Sequence, residues 1–181
     1  MFAKQYNNTA ATFVFGWNNF LCPSSWLQQT ITMRPNLLLH PTQRSLLDAI
    51  DTSIVTVLSQ ARSLGSVVVV YDDSMSQLEQ LCTYYFPQCT RLFCAASDIA
   101  FVPHTPHGLN AIHQTKAMVF GASSLRQNCI CVAPDAVRRG KFVSTPTAWP
   151  SMAQVLHHLS VLGQGLLSHV AQYHAALDIC L

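Results

Sequence analysis

The chain is 181 residues long, half of them hydrophobic, with 10% charged residues and a formal net charge of +2. That length fits one domain with a sizeable core, and the apolar fraction excludes a disordered chain. The net charge is too small for a nucleic-acid footprint, and its nearest basic cluster, Arg138, Arg139 and Lys141 around Gly140, reads as a solvated loop.

The charged fraction is well below the roughly 25% usual for soluble domains. Two readings follow: a surface made polar by Ser, Thr, Gln, Asn and His, or a surface covered by partners. Seven cysteines, several inside apolar runs, fit a reduced and soluble compartment. The longest apolar runs are far too short to span a bilayer, and a first strand near Ala11 leaves little room for a cleaved leader.

Residues 12–15 (Thr-Phe-Val-Phe) predict a buried strand, followed by a polar break at 16–19. Residues 21–39 read as irregular, because Pro23 and Pro35 prevent one continuous helix. From Pro41-Thr42 a helix is signalled by Leu46, Leu47, Ile50, Ile54, Val57, Leu58 and Ala61 on one face, with Gly65 at a left-handed cap. Four valines and Tyr71 (67–71) then read as a strand covered on both faces.

Asp72-Asp73-Ser74 caps a helix to about Tyr85, closed by Pro87. Residues 91–95 predict a short strand and 97–109 a loop, since Pro103, Pro106 and Gly108 punctuate it. Residues 117–120 predict a strand broken at Gly121, 123–133 a helix, and 141–143 a last short strand. Trp149-Pro150-Ser151 opens a long C-terminal helix that Gly163 and Gly165 bend or interrupt. The alternation predicts a single α/β domain over 1–181, a three-layer α/β/α sandwich with a mainly parallel, Rossmann-like sheet. Functional loops in such sheets lie beyond the C-terminal ends of the strands.

At the first of those ends the chain reads Phe13-Val14-Phe15-Gly16-Trp17-Asn18-Asn19-Phe20-Leu21-Cys22-Pro23-Ser24-Ser25-Trp26-Leu27. This resembles the first motif of the haloacid-dehalogenase (HAD-like) superfamily in a plant and protist version, Phe-Asp-Trp-Asp-Asp-Thr-Leu followed by Pro-Thr/Ser-Ser-Trp-Leu. Tyr71-Asp72-Asp73 through Phe86-Pro87 is similar to the family's second strand, loop and helix. Phe120-Gly121-Ala122-Ser123-Ser124-Leu125-Arg126 is similar to its Gly-Asp-Ser-x-x-Glu-Arg segment. Lys141-Phe142-Val143, the C-terminal helix and the closing residues 177–181 complete an ordered set over nearly the whole chain. The resemblance implies a HAD-like sheet with a minimal or absent cap, and a helical, cap-like insert at 28–66.

The family's chemistry needs a nucleophilic carboxylate, a second one two residues on to move a proton, a hydroxyl and a lysine on the phosphoryl oxygens, and a late Asp for magnesium. Carried over by position, the resemblance puts Gly16 at the nucleophile, Asn18 at the proton-transferring Asp and Phe20 at the following Thr. It puts Tyr71 at the second-motif hydroxyl, with Ser74 as a neighbour able to take a related role. Gly108 falls at the lysine, with Lys116 a nearby substitute and Ala111-Ile112 matching an Ala-Phe pair. Ala122 replaces the late metal ligand. None of these side chains supplies the required group, so the resemblance implies loss of phosphoryl transfer, with no catalytic residue, metal or cofactor.

Other constellations carry less. His104, His107 and His113, then Cys82, Cys89 and Cys94, and the Cys129-x-Cys131 pair lack the paired spacing of a zinc site, and read as surface histidines and buried thiols. Cys22 in the old active-site loop has no histidine base placed beside it by the sequence. His157, His158, His169 and His174 read as polar-face residues, and Trp17, Phe20 and Trp26 as packing rather than ligand stacking. The expected function is that of a noncatalytic structural or scaffolding subunit with protein partners, and no nucleic acid or membrane insertion. Candidate assemblies include ciliary or flagellar axonemal structures in a cytoplasmic or cytoskeletal setting, or a mitochondrial complex. The alternatives are a phospho-ligand or nucleotide-binding module without turnover, and a divergent enzyme using Cys22 or Lys116.

Overall fold

The structure, a computed structural model, describes residues 11–33, 39–94, 97–105, 117–122, 125 and 140–181. Its centre is an all-parallel sheet of six strands: β1 (Thr12–Gly16), β2 (Ser66–Tyr71), β3 (Ile99–Pro103), β4 (Ala117–Ala122), β5 (Lys141–Thr145) and β6 (Leu177–Cys180). They run in the order β3-β2-β1-β4-β5-β6, the doubly wound order that leaves the first strand central. Phe13 pairs in register with Val67 and Met118, and Phe15 with Val69 and Phe120. The two-residue period therefore gathers Phe13, Phe15, Val67, Val69, Met118, Phe120 and Val143 on one face. Val14, Val68, Val70, Val119 and Phe142 face the other way, and they are buried too. Burial on both faces explains why these strands read as unbroken apolar runs.

The described helices gather on the phenylalanine face. They are α1 (Ser24–Met33), α2 (Pro41–Leu64), α3 (Met75–Tyr85), α4 (Met152–Val161) and α5 (Leu167–Gln172). Helix α2 places Leu47, Ile50, Ile54, Val57, Leu58 and Ala61 against the sheet at helical spacing, and packs against α4. Its start is capped on both sides: His40 Nδ1 accepts from the Thr42 amide, and Gln43 Oε1 accepts from the His40 amide. Ser74 with Gln77 and Ser151 with Gln154 form reciprocal capping boxes at α3 and α4. The β1-to-β2 and β5-to-β6 connections cover the same face but step along the sheet in opposite directions, so the two crossovers have opposite hands.

Several elements depart from the sequence reading. A ten-residue helix, α1, fits between Pro23 and Pro35, where 21–39 was expected to be irregular. The strand expected at 91–95 is a 3-10 helix, Cys89–Phe93, because the buried Asp51 carboxylate accepts from the amides of Gln88 (2.8 Å) and Cys89 (3.0 Å) at its start. The loop expected over 97–109 contains β3, an edge strand on which Pro103 is tolerated at the end. Gly121 continues β4 rather than breaking it, and β5 is followed by β6, so 141–143 does not begin the last strand. Lys141 is a strand residue whose ammonium donates to the carbonyls of Val170 and Ala171 at the end of α5, not part of a solvated loop. The helix expected at 123–133 and residues Arg138 and Arg139 lie outside the described residues, apart from helical Leu125.

Gly65 is not left-handed. Its φ of 175° is extended backbone, and glycine is needed there because a Cβ would stand 2.2 Å from the Ala11 carbonyl oxygen. Gly165, by contrast, has a non-helical φ of 116° and kinks the segment Leu162–Leu166 that joins α4 to α5. Gly163 lies in the same segment with open space where its Cβ would be. These three glycines predict three outcomes in urea unfolding. Gly163→Ala raises stability by about 0.5–1 kcal/mol through lost unfolded-state entropy. Gly165→Ala lowers it by about 1–2 kcal/mol because an L side chain is strained there. Gly65→Ala lowers it further, since the obstructing atom is backbone.

Candidate functional site

Three neighbouring strands end side by side at the C-terminal edge of the sheet, and three matched positions end with them: Gly16 on β1, Tyr71 on β2 and Ala122 on β4. Leu125 fills the space between. A Cβ on Gly16 would meet Leu125 Cδ2 at 3.2 Å, and one on Gly121 would meet the same atom at 2.6 Å. The leucine is 4% exposed and belongs to the cluster on the second face. Among the described residues a cleft of about 20 Å³ opens here, lined by Gly16, Trp17, Asn18, Val70, Asp72, His104, Ala122 and Leu125. That is room for roughly one or two water molecules.

Two successive asparagines hold the loop that leaves β1. Asn18 accepts from the Asp72 amide at 3.1 Å and donates to Asp73 Oδ2 at 3.4 Å, tying the loop to the exit of β2. Asn19 adopts the left-handed region, with φ 56°, which a short polar side chain tolerates. Its Oδ1 accepts from the Ser24 hydroxyl (3.1 Å) and the Ser25 amide (2.9 Å) at the start of α1. Its Nδ2 donates to Ser25 Oγ (2.7 Å) and to the Ala148 carbonyl (3.0 Å) beyond β5. The exits of β1, β2 and β5 are thus joined by neutral amide groups.

Phe20 turns away from this edge into the core and is fully buried. Its ring stacks on His158 of α4, with centroids 4.8 Å apart and planes 24° from parallel, and its carbonyl contacts His158 Nε2. His158 is 3% exposed, so it is a core residue and not one of a polar face. Burial lowers its pKa from 6.5, helped by His157, while the carbonyls of Phe20 and Gln154 act in the opposite sense. Trp17 is buried edge-on to Phe86, with centroids 6.3 Å apart, and Trp26 packs partly buried against the same core. The packing role expected of all three aromatics is the observed one.

Cys22 is fully buried two residues after Phe20. Burial raises its thiol well above the ordinary value, and the charges of Cys82 and Asp73 add to the rise. Cys82 and Cys89 are raised in the same way, chiefly by burial and then by Asp51. Raised thiols stay protonated, and a protonated thiol is a poor nucleophile. Cys94, grouped with them by sequence, is exposed.

His104 follows β3, and its Nδ1 lies 2.5 Å from Asp72 Oδ1. Asp72 is more than half exposed, which limits that pair to roughly 0–1 kcal/mol. The structure therefore brings Gly16, Asn18, Tyr71 and Ala122 to one edge and sends Phe20 elsewhere. Gly108, Lys116, His107, His113, Cys129 and Cys131 lie outside the described residues. Among the described residues no group of three or more His, Cys, Asp or Glu could hold a metal ion, and no helix is long and apolar enough to cross a membrane. Sequence reasoning missed Asn19, Leu125 and His158. Only Asn19 left a signal, an Asn-Asn pair at a strand exit just ahead of Ser24-Ser25.

Thiol chemistry checks the burial directly. Brief iodoacetamide treatment of the native protein near neutral pH, followed by peptide mass mapping, should modify Cys94 and Cys180. It should leave Cys22, Cys82 and Cys89 unlabelled until denaturant is added. Fast labelling of Cys22 would contradict its placement in the core. No protein-family model matches this chain, nor does any curated protein or solved structure.

Proposed function

We propose that this chain is a noncatalytic, HAD-like pseudoenzyme that serves as a structural subunit of a larger protein assembly. The observation that carries the reading is the occupied nucleophile position: Gly16 offers no reactive group, and Leu125 sits against it. The strand order supports the resemblance, because it sets the ends of the three motif-bearing strands next to one another. Burial of both sheet faces supports the three-layer sandwich that the resemblance implies. The charge-poor composition supports a surface that partners cover, and no nucleic acid is expected among them. An axonemal or other cytoskeletal assembly and a mitochondrial complex are the settings proposed for it.

Other readings fit less well. A divergent enzyme acting through Cys22 would need a thiolate, whereas burial favours the thiol. A phosphate or nucleotide pocket would need more room, whereas among the described residues the cleft is water-sized and Asp72 contributes a carboxylate to its wall.

Two measurements test the proposal together. Tagged protein recovered from its own cells should bring down a defined set of proteins in fixed ratio that survives a salt wash. The purified chain should turn over a generic phosphoester no faster than buffer, with or without magnesium, and Gly16→Asp with Asn18→Asp should not raise that rate, because Leu125 still fills the site. Recovery as a stable monomer without companions, or turnover abolished by Asn18→Ala or Cys22→Ala, would overturn the reading.

A further inference from the structure

One residue separates two helices that the sequence writes as one. From Met152 to Gln172 the backbone is helical except at Gly165, whose φ of 116° and ψ of −5° break the line of α4 from that of α5. The apolar pattern ignores that break. Val155, Leu159, Leu162, Leu166 and Val170 recur every three or four positions, the stripe of a continuous helix. Apart from adjoining backbone, nothing lies within 4 Å of a Cβ on Gly163 or Gly165, so no neighbouring side chain wedges the kink in place.

We propose that Gly165 is a hinge through which two copies of this chain exchange α5 and β6. Rotation of that residue into the helical region joins α4 and α5 into one helix of about 30 Å. It carries β6 away to the β5 edge of a second copy, where β6 meets the same strand that it has left. Every contact made beyond the hinge is re-formed between chains. These are the parallel pairing of β6 with β5, the bonds from Lys141 to the carbonyls of Val170 and Ala171, and the burial of Leu167 and Val170. The two forms therefore differ chiefly at the hinge, where exchange removes a kink and adds helix.

The placement of the unit suits it to leave. β6 is four residues long and stands at the edge of the sheet, so withdrawal breaks its pairing with one neighbour only. α5 spans six residues, too few to be stable without the surface it packs on. The tie from α2 falls on the near side of the hinge: Gln60 Nε2 donates to the Gly163 carbonyl at 3.2 Å. α4 thus stays anchored while the residues beyond Gly165 move. The occupant of the vacated β5 edge is β6 of a second copy, because that strand arrives with the α5 carbonyls that Lys141 requires. The exchange does not depend on the structural role proposed above.

Size-exclusion chromatography with light scattering tests it on the full chain, refolded from urea at about 10 and about 500 µM. The concentrated sample should contain a dimer that dissociates slowly on dilution. Gly165→Ala strains the hinge in each of two monomers and in neither chain of the exchanged dimer. It should therefore lower the dissociation constant by at least about thirtyfold. Gly163→Ala lies at a position that is helical in both forms and should leave the constant unchanged. Ser144→Cys identifies the exchange, because Ser144 pairs in register with Cys180 across β5 and β6. Neighbouring strands lie about 4.8 Å apart, within the span of a disulfide. Mild oxidation should close that bond within one chain in the monomer fraction. In the dimer fraction it should link two chains on a non-reducing gel, a link absent from the chain that keeps Ser144. Gly165→Ala protein that stays monomeric when concentrated, an equal gain from Gly163→Ala, or a dimer whose bonds close within each chain would each overturn the proposal. Should Gly165→Ala not fold, the Ser144→Cys chain decides alone: a dimer linked between chains supports exchange, and the absence of any dimer sinks it.

Discussion

Everything at the C-terminal edge of the sheet depends on how the chain leaves β1. That strand is buried on both faces, with Phe13 and Phe15 against the helices and Val14 against the second cluster. Its exit is consequently confined to the space between the ends of β2 and β4. A side chain at the exit residue would point into that space, and here the exit residue is Gly16, with Leu125 Cδ2 3.2 Å from where a Cβ would stand. Gly121 on β4 makes the same concession to the same leucine. Two glycines and one leucine form a complementary set in which a single change is resisted by close packing.

The loop beyond Gly16 is then held by groups that carry no charge. A carboxylate near Asp72 and Asp73 would repel them and would need a cation to offset its desolvation. An asparagine can accept from the Asp72 amide and donate to Asp73 without either cost. Asn19 makes the same trade against Ser24, Ser25 and Ala148. Such bonds contribute about 1 kcal/mol each, little beside the core, but they fix one loop geometry among many. The physical character of the edge is that of a braced surface, which agrees with the structural role proposed for the chain.

Much of the sheet was legible in the sequence and part of it was not, for identifiable reasons. β1, β2 and β4 announce themselves because burial on both faces demands continuous apolar residues. β3 did not, since an edge strand tolerates Pro103 and needs less burial. The 3-10 helix at Cys89–Phe93 depends on Asp51, 38 residues earlier, and no local pattern could announce a long-range carboxylate cap. At the site, residue identity was enough to read what Gly16, Asn18 and Ala122 lack. It was not enough to reveal that Leu125 fills the space or that His158 lies in the core, because both depend on which elements the fold brings together.

The placement of His158 follows from the topology. Helix α4 leaves the end of β5 and returns over the phenylalanine face, where it meets α2 and covers Phe13, Phe15 and Phe120. Had that connection covered the other face, it would share the hand of the β1-to-β2 crossover, and α4 would not reach the core side of the β1 loop. The opposite hand places a polar ring beneath a loop whose upper side is already tied by amides. A leucine at that position could match the packing but could not bond the Phe20 carbonyl, which would then be buried with one partner fewer.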